Sequence, residues 1–107
     1  MKINIDNQNI ELRFRFRSEI LFEEIAQKSF QGESVAQWIL YFYCTLIANT
    51  DDGFIEYDSF VKWLDDNPDA LYEFIEFYTK FQSGVLEKRQ KAIEAAAKKK
   101  APRKKKS

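Results

Sequence analysis

The chain has 107 residues, with ten Phe, five Tyr and two Trp, a formal net charge of zero, one cysteine and no histidine. A chain of this length makes one domain able to bury an aromatic core, and a single cysteine excludes an internal disulfide. The lack of histidine removes the commonest general base, the commonest metal ligand and every histidine-dependent triad. No apolar run has the length of a membrane span or the form of a signal peptide, so we expect a soluble cytoplasmic protein with no membrane partner.

The zero net charge conceals an asymmetry. Residues 1–84 carry seven Lys or Arg against fifteen Asp or Glu, a balance of −8, whereas residues 85–107 carry ten against two, a balance of +8. We therefore expect an acidic domain over residues 1–84 and a basic tail over residues 85–107. Electrostatics would steer these towards different partners, or towards each other in neighbouring subunits.

In chain order, "KINIDNQNIELRFRFR" alternates with period two: Ile3 and Ile5, then Ile10, Leu12, Phe14 and Phe16 on one face, with Glu11, Arg13, Arg15 and Arg17 on the other. With Asp6, Asn7, Gln8 and Asn9 as its polar turn, this predicts a β-hairpin with one buried face. After Ser18, an expected N-cap, helical spacing puts Leu21, Phe22, Ile25, Ala26 and Phe30 on one side of a helix that Gln31 and Gly32 end. A second helix, from about Ser34 to about Asn49, is apolar on every side, Tyr41, Tyr43 and Cys44 included. It must be either the central helix or a subunit contact.

A third helix over about residues 58–66, capped by Asp58, lines up Tyr57, Phe60, Val61 and Leu64 and leaves Trp63 off that stripe. Asn67 and Pro68 then start a fourth helix to about Gln82, with Leu71, Phe74, Ile75 and Tyr78 buried and Ser83 and Gly84 as the stop. The tail favours a fraying helix to about Lys100 and disorder beyond. The predicted fold class is α+β: a hairpin, a bundle of about four helices and a basic, partly helical tail.

Sites for chemistry are wanting. Aligning Gly53 with the glycine of a calcium-binding EF-hand loop puts Ala48 at the first ligand position and Ser59 at the twelfth, so both essential oxygen donors are missing. The segment reads instead as a turn made by Asp51, Asp52 and Gly53. Cys44 lies in the most apolar helix and reads as a small core hydrophobe. The three glycines stand apart and form no phosphate-cradling loop, while Asp65 and Asp66 read as solvated helix ends. No catalytic, cofactor or metal site is expected.

What remains is a binding surface. Between residues 51 and 76 acidic side chains are interleaved with the surplus aromatics Trp63, Tyr72 and Phe77. We take these three, with Tyr41, Tyr43, Asp65, Asp66, Glu73 and Glu76, as the expected protein contacts. The Arg13, Arg15 and Arg17 row reads as a solvated strand face. The lysine runs of the tail can neutralise phosphates weakly and without sequence preference, which makes a nucleic-acid-binding adaptor the alternative function.

The order "INIDNQNIELRFRFRS", "ILFEEIAQKSF", "WILYFYCTLIA" and "YDSFVKWLDDNPDALYEFIEF" resembles small tail assembly chaperones of long-tailed bacteriophages and prophages over residues 2–82. The most specific part is F-x-x-W-L-D-D-N-P at residues 60–68; the basic tail is no part of the resemblance. The resemblance implies a non-enzymatic protein of the host cytoplasm. It would bind the tape measure protein, keep it soluble, help recruit tail tube subunits, with or without self-association, and be absent from the finished virion. It also implies a frameshifted longer form in many members, with the lysine runs as places where slippery codons would lie.

Overall fold

The computed structural model describes residues 1–50 and 54–106, with side chains up to residue 97. The chain divides into two units, Met1–Ile75 and Glu76–Ser107, ahead of the 84/85 boundary expected from charge. The electrostatic division is the same at either boundary. Residues 1–75 carry six basic and fourteen acidic side chains (−8), and residues 76–107 carry eleven and three (+8).

The first unit opens with an antiparallel hairpin of β1 (Lys2–Ile5) and β2 (Gln8–Glu11), in which Ile3 faces Ile10 and Ile5 faces Gln8. Asp6 and Asn7 make the turn with φ of 51° and 61°. Two consecutive positive φ values characterise a two-residue turn whose twist matches that of the strands. Ile3, Ile5, Ile10 and Leu12 are buried, as the alternation predicts.

The alternation misleads beyond Leu12. Residues 12–15 lie beyond the end of β2, and α1 (Phe16–Ala26) begins where the pattern still reads as strand. Phe16, expected on the buried face, is therefore 88% exposed. Ser18 is inside the helix rather than at its cap. Arg15 takes the cap position without a side-chain bond, and the buried Ser18 hydroxyl has no hydrogen-bond partner. The helix stops at Ala26, where Gln27 turns left-handed (φ 59°) and its N–H bonds to the Glu23 carbonyl. Ile25 is consequently exposed. Phe30 reaches the core from the following loop, its ring stacked 4.2 Å from Tyr41 and edge-on to Trp38 at 4.9 Å. Gly32 (φ +66°) lies in that loop under the Trp38 ring; a Cβ there would approach the indole to 3.2 Å.

The all-apolar helix is the central one. In α2 (Val35–Ala48), residues 41–46 are all buried, and α1 and α3 both pack against it. Ser34 caps it by accepting from the Gln37 N–H at 3.2 Å, and the Gln37 side chain accepts in return from the Glu33 N–H at 3.1 Å. At the other end, Asn49 donates to the carbonyls of Thr45 and Arg13, each at 2.8 Å, and fastens α2 to the extended segment. The rings around α2 interlock: Phe42 stacks on Phe74 at 4.3 Å and meets Phe60 edge-on at 5.0 Å.

Helix α3 (Tyr57–Asp66) starts one residue before the expected cap, so Asp58 lies in its first turn, where a carboxylate still suits the helix dipole. Asn67 caps no helix start; its side chain donates to the Trp63 carbonyl and closes α3. Helix α4 (Asp69–Lys106) follows and contributes Phe74, fully buried, to the first unit. It does not stop at Ser83 and Gly84. Gly84 keeps a helical φ, with good helix formers on both sides, and an isolated glycine weakens a helix without ending it. The tail that was expected to become disordered continues in helix to Lys106.

Candidate protein-binding surface

Two of the expected contacts belong to the core. Tyr41 is 1% exposed; its ring packs among Phe22, Phe30 and Phe74, and its hydroxyl donates to Glu19 Oε1 at 2.8 Å. Tyr43 is 8% exposed and donates to the Ile55 carbonyl at 2.6 Å. Burial raises the Tyr43 phenol pKa, with smaller upward contributions from Cys44 and Glu56, so the ring is a neutral donor. Both side chains spend their polar ends inside the fold. They hold it together and offer nothing to a partner.

Trp63 holds an intermediate position. Its ring lies beside Phe60 (6.1 Å, stacked) and edge-on to Phe42 (6.5 Å), and Nε1–H donates to the Asn4 carbonyl at 2.9 Å. It therefore belongs to the apolar stripe from which the spacing excluded it, and it links α3 to the hairpin. One edge of the indole lines an open depression of about 390 Å³ between β1 and the α3–α4 junction, with Asp66, Pro68, Asp69 and Glu73 on the facing wall.

Tyr72 is fully available. It is 70% exposed near the start of α4, and it makes no hydrogen bond or ring contact with another described residue. Asp69 stands one turn before it and Glu73 beside it, while Asp65 and Asp66 end α3 just upstream, all exposed. None of these four carboxylates forms an ion pair among the described residues. The outcome is an aromatic side chain in an acidic surround. In the second unit, Glu76 is exposed and pairs with Lys80 at 3.0 Å, and Phe77 is half-buried.

Four further aromatics are exposed. Phe16 was placed inside by the strand alternation and Tyr57 was aligned with the α3 stripe, while Phe54, 74% exposed, and Phe81 were not singled out. Phe16 is joined one turn along α1 by the exposed Ile20, and the exposed Arg15 and Arg17 flank it in sequence, while Arg13 and Arg15 line a separate depression with Glu11 and Asn49. The signal that would have found Phe16 is the change of period at residues 16–22, where Phe16 and Ile20 share one helical face and Ser18 and Phe22 another.

Chemistry is not apparent at either surface. Burial pushes the Cys44 thiol up to about 11, which makes it a poor nucleophile. Among the described residues no group of His, Cys, Asp or Glu is arranged to hold a metal ion, and no helix is long and apolar enough to cross a membrane. The Asp51, Asp52 and Gly53 turn lies outside the described residues. Comparison of the chain with protein-family models, curated proteins and solved structures found no match.

Proposed function

We propose that the protein works by reversible binding of another polypeptide, as a tail assembly chaperone that covers apolar seams of a tape measure protein and keeps it soluble in the host cytoplasm. The observation that carries this reading is the exposure of Phe16, Phe54 and Tyr72 at 88%, 74% and 70% in a fold whose core already holds Phe22, Phe42, Phe60 and Phe74 completely buried. Large aromatic side chains left in water cost solubility and supply contact energy once covered. The acidic surround of Tyr72 keeps such a surface soluble between encounters. The helical tape measure chain offers long apolar stripes on which these rings can lie.

The test is co-expression with a tape measure protein. The chain should co-purify with that protein and raise its soluble fraction, and Tyr72→Glu should reduce both. A tape measure protein equally soluble alone removes the support for the proposal.

A second reading rests on a separate observation. The unit Glu76–Ser107 is helical with a balance of +8, the charge needed to track a phosphate backbone. Salt-sensitive retardation of DNA by the full chain, weakened by lysine-to-glutamate changes at residues 104–106, would favour it.

A further inference from the structure

The first unit carries two exposed surfaces of opposite charge, each built round an aromatic side chain. On one, Phe16 lies between Arg15 and Arg17 with Ile20 one turn on, and neither guanidinium group has an ion-pair partner among the described residues. On the other, Tyr72 stands among the unpaired carboxylates of Asp65, Asp66, Asp69 and Glu73, three of which line the depression beside Trp63.

Part of each surface opposes its own helix, whereas Glu19 in the first turn of α1 and Asp69 in the first turn of α4 suit theirs. Arg15 occupies the N-cap and Arg17 the first turn of α1, where the dipole favours anions; Asp65 and Asp66 occupy the last turn of α3, where it favours cations. Each arrangement is locally unfavourable in an isolated chain and becomes favourable when the opposite surface covers it. Local rules broken in this way mark places where function sets the sequence.

We propose that copies of this protein associate head to tail, the corner formed by Arg15, Phe16 and Arg17 of one copy docking on the Tyr72 surface of the next. The depression, lined by Asp66, Asp69 and Glu73 against the one basic side chain of Lys2, receives a guanidinium group beside the Trp63 ring, and Phe16 covers Tyr72. The second copy is the occupant because its arginines and its exposed aromatic ring are opposite in charge and alike in kind to this surface. A contact between two different patches is heterologous, so it builds rings or filaments rather than an isolated symmetric dimer. The inference is tested with the pure protein; it engages Phe16 and Tyr72, two of the rings assigned to the tape measure contact, so self-association and partner binding compete.

Sedimentation equilibrium of the full chain at low and high salt is the experiment. The average mass should rise above 12.7 kDa with concentration and fall back towards it at high salt, because exposed charges are screened. The double variants R15E/R17E and D69R/E73R should each remain at 12.7 kDa, with folding confirmed by circular dichroism. Phe16→Ala, which alters no charge, should weaken association by about tenfold. Mixing the two charge variants in equal amounts should restore association, since the intact arginine corner of one meets the intact acidic surface of the other. A wild-type mass of 12.7 kDa at every concentration, association that persists in both variants, or a mixture that stays monomeric would each overturn the proposal.

Discussion

The indole N–H of Trp63 donates to the main-chain carbonyl of Asn4 at 2.9 Å across 59 residues of sequence. The strand register makes this bond informative. Leu12 N–H bonds to the Met1 carbonyl, so in the alternating antiparallel pattern the backbone groups of Asn4 point away from β2. Trp63 thus occupies an acceptor on the open edge of the sheet, where an unpaired strand invites association with other strands. Trp63→Phe keeps most of the ring and loses this donor. We expect a loss of about 1 kcal/mol in a denaturant titration and faster exchange of the hairpin amides; unchanged stability would show that the bond contributes nothing.

Ser18 provides a clean sign test. A serine capping a helix loses about 1 kcal/mol on change to alanine. Here the hydroxyl is fully buried without a partner, so Ser18→Ala removes an unsatisfied polar group. Thermal unfolding of Ser18→Ala should show equal or higher stability, and a clear loss would return Ser18 to the capping role.

Cys44 gives a pH dependence. Burial raises its pKa from 9.0 to about 11, so the folded state holds the proton more tightly than the unfolded chain does. This contribution to stability is complete below pH 9 and is lost as pH rises through about 11. The phenols of Tyr43 and Tyr57, also raised chiefly by burial, act in the same direction. Stability measured between those limits should fall with pH, and the fall should be smaller in Cys44→Ala. An identical slope would show that the thiol is not protected.

Gly84 lies inside α4 with no neighbouring atom within 4 Å of the place a Cβ would take. Gly84→Ala therefore adds helix propensity without a clash. The amides around residue 84 should exchange more slowly, corresponding to about 1 kcal/mol of added helix stability; faster exchange would show that the glycine is needed there.

Much of the fold was legible because its periodicities are clean. The Ile3, Ile5, Ile10 and Leu12 alternation marks the hairpin, Ser34 with Gln37 marks the start of α2, and the apolar surround of α2 marks a central helix. The failures have a common cause: a local pattern overridden by a long-range partner or by its absence. "RFRFR" continues the strand period, yet β2 ends at Glu11 and the backbone turns helical at Phe16. Trp63 falls off a stripe drawn by spacing alone, because its partner is on β1. Tyr41 and Tyr43 carry hydroxyls that suggest a wet surface, but each finds an acceptor within the fold. Of the expected contact aromatics in the first unit, only Tyr72 has both ring and hydroxyl in water. Its position beside acidic helix ends was the readable part of the surface.

The central claim is that exposed aromatics of this chain hold another polypeptide. The most direct measurement is co-purification of the tape measure protein with wild-type chain and with Tyr72→Glu, each variant checked for unchanged folding. Retention by the wild type and a loss of at least about tenfold with Tyr72→Glu is the predicted result. Equal retention by both, or none by the wild type, would contradict it.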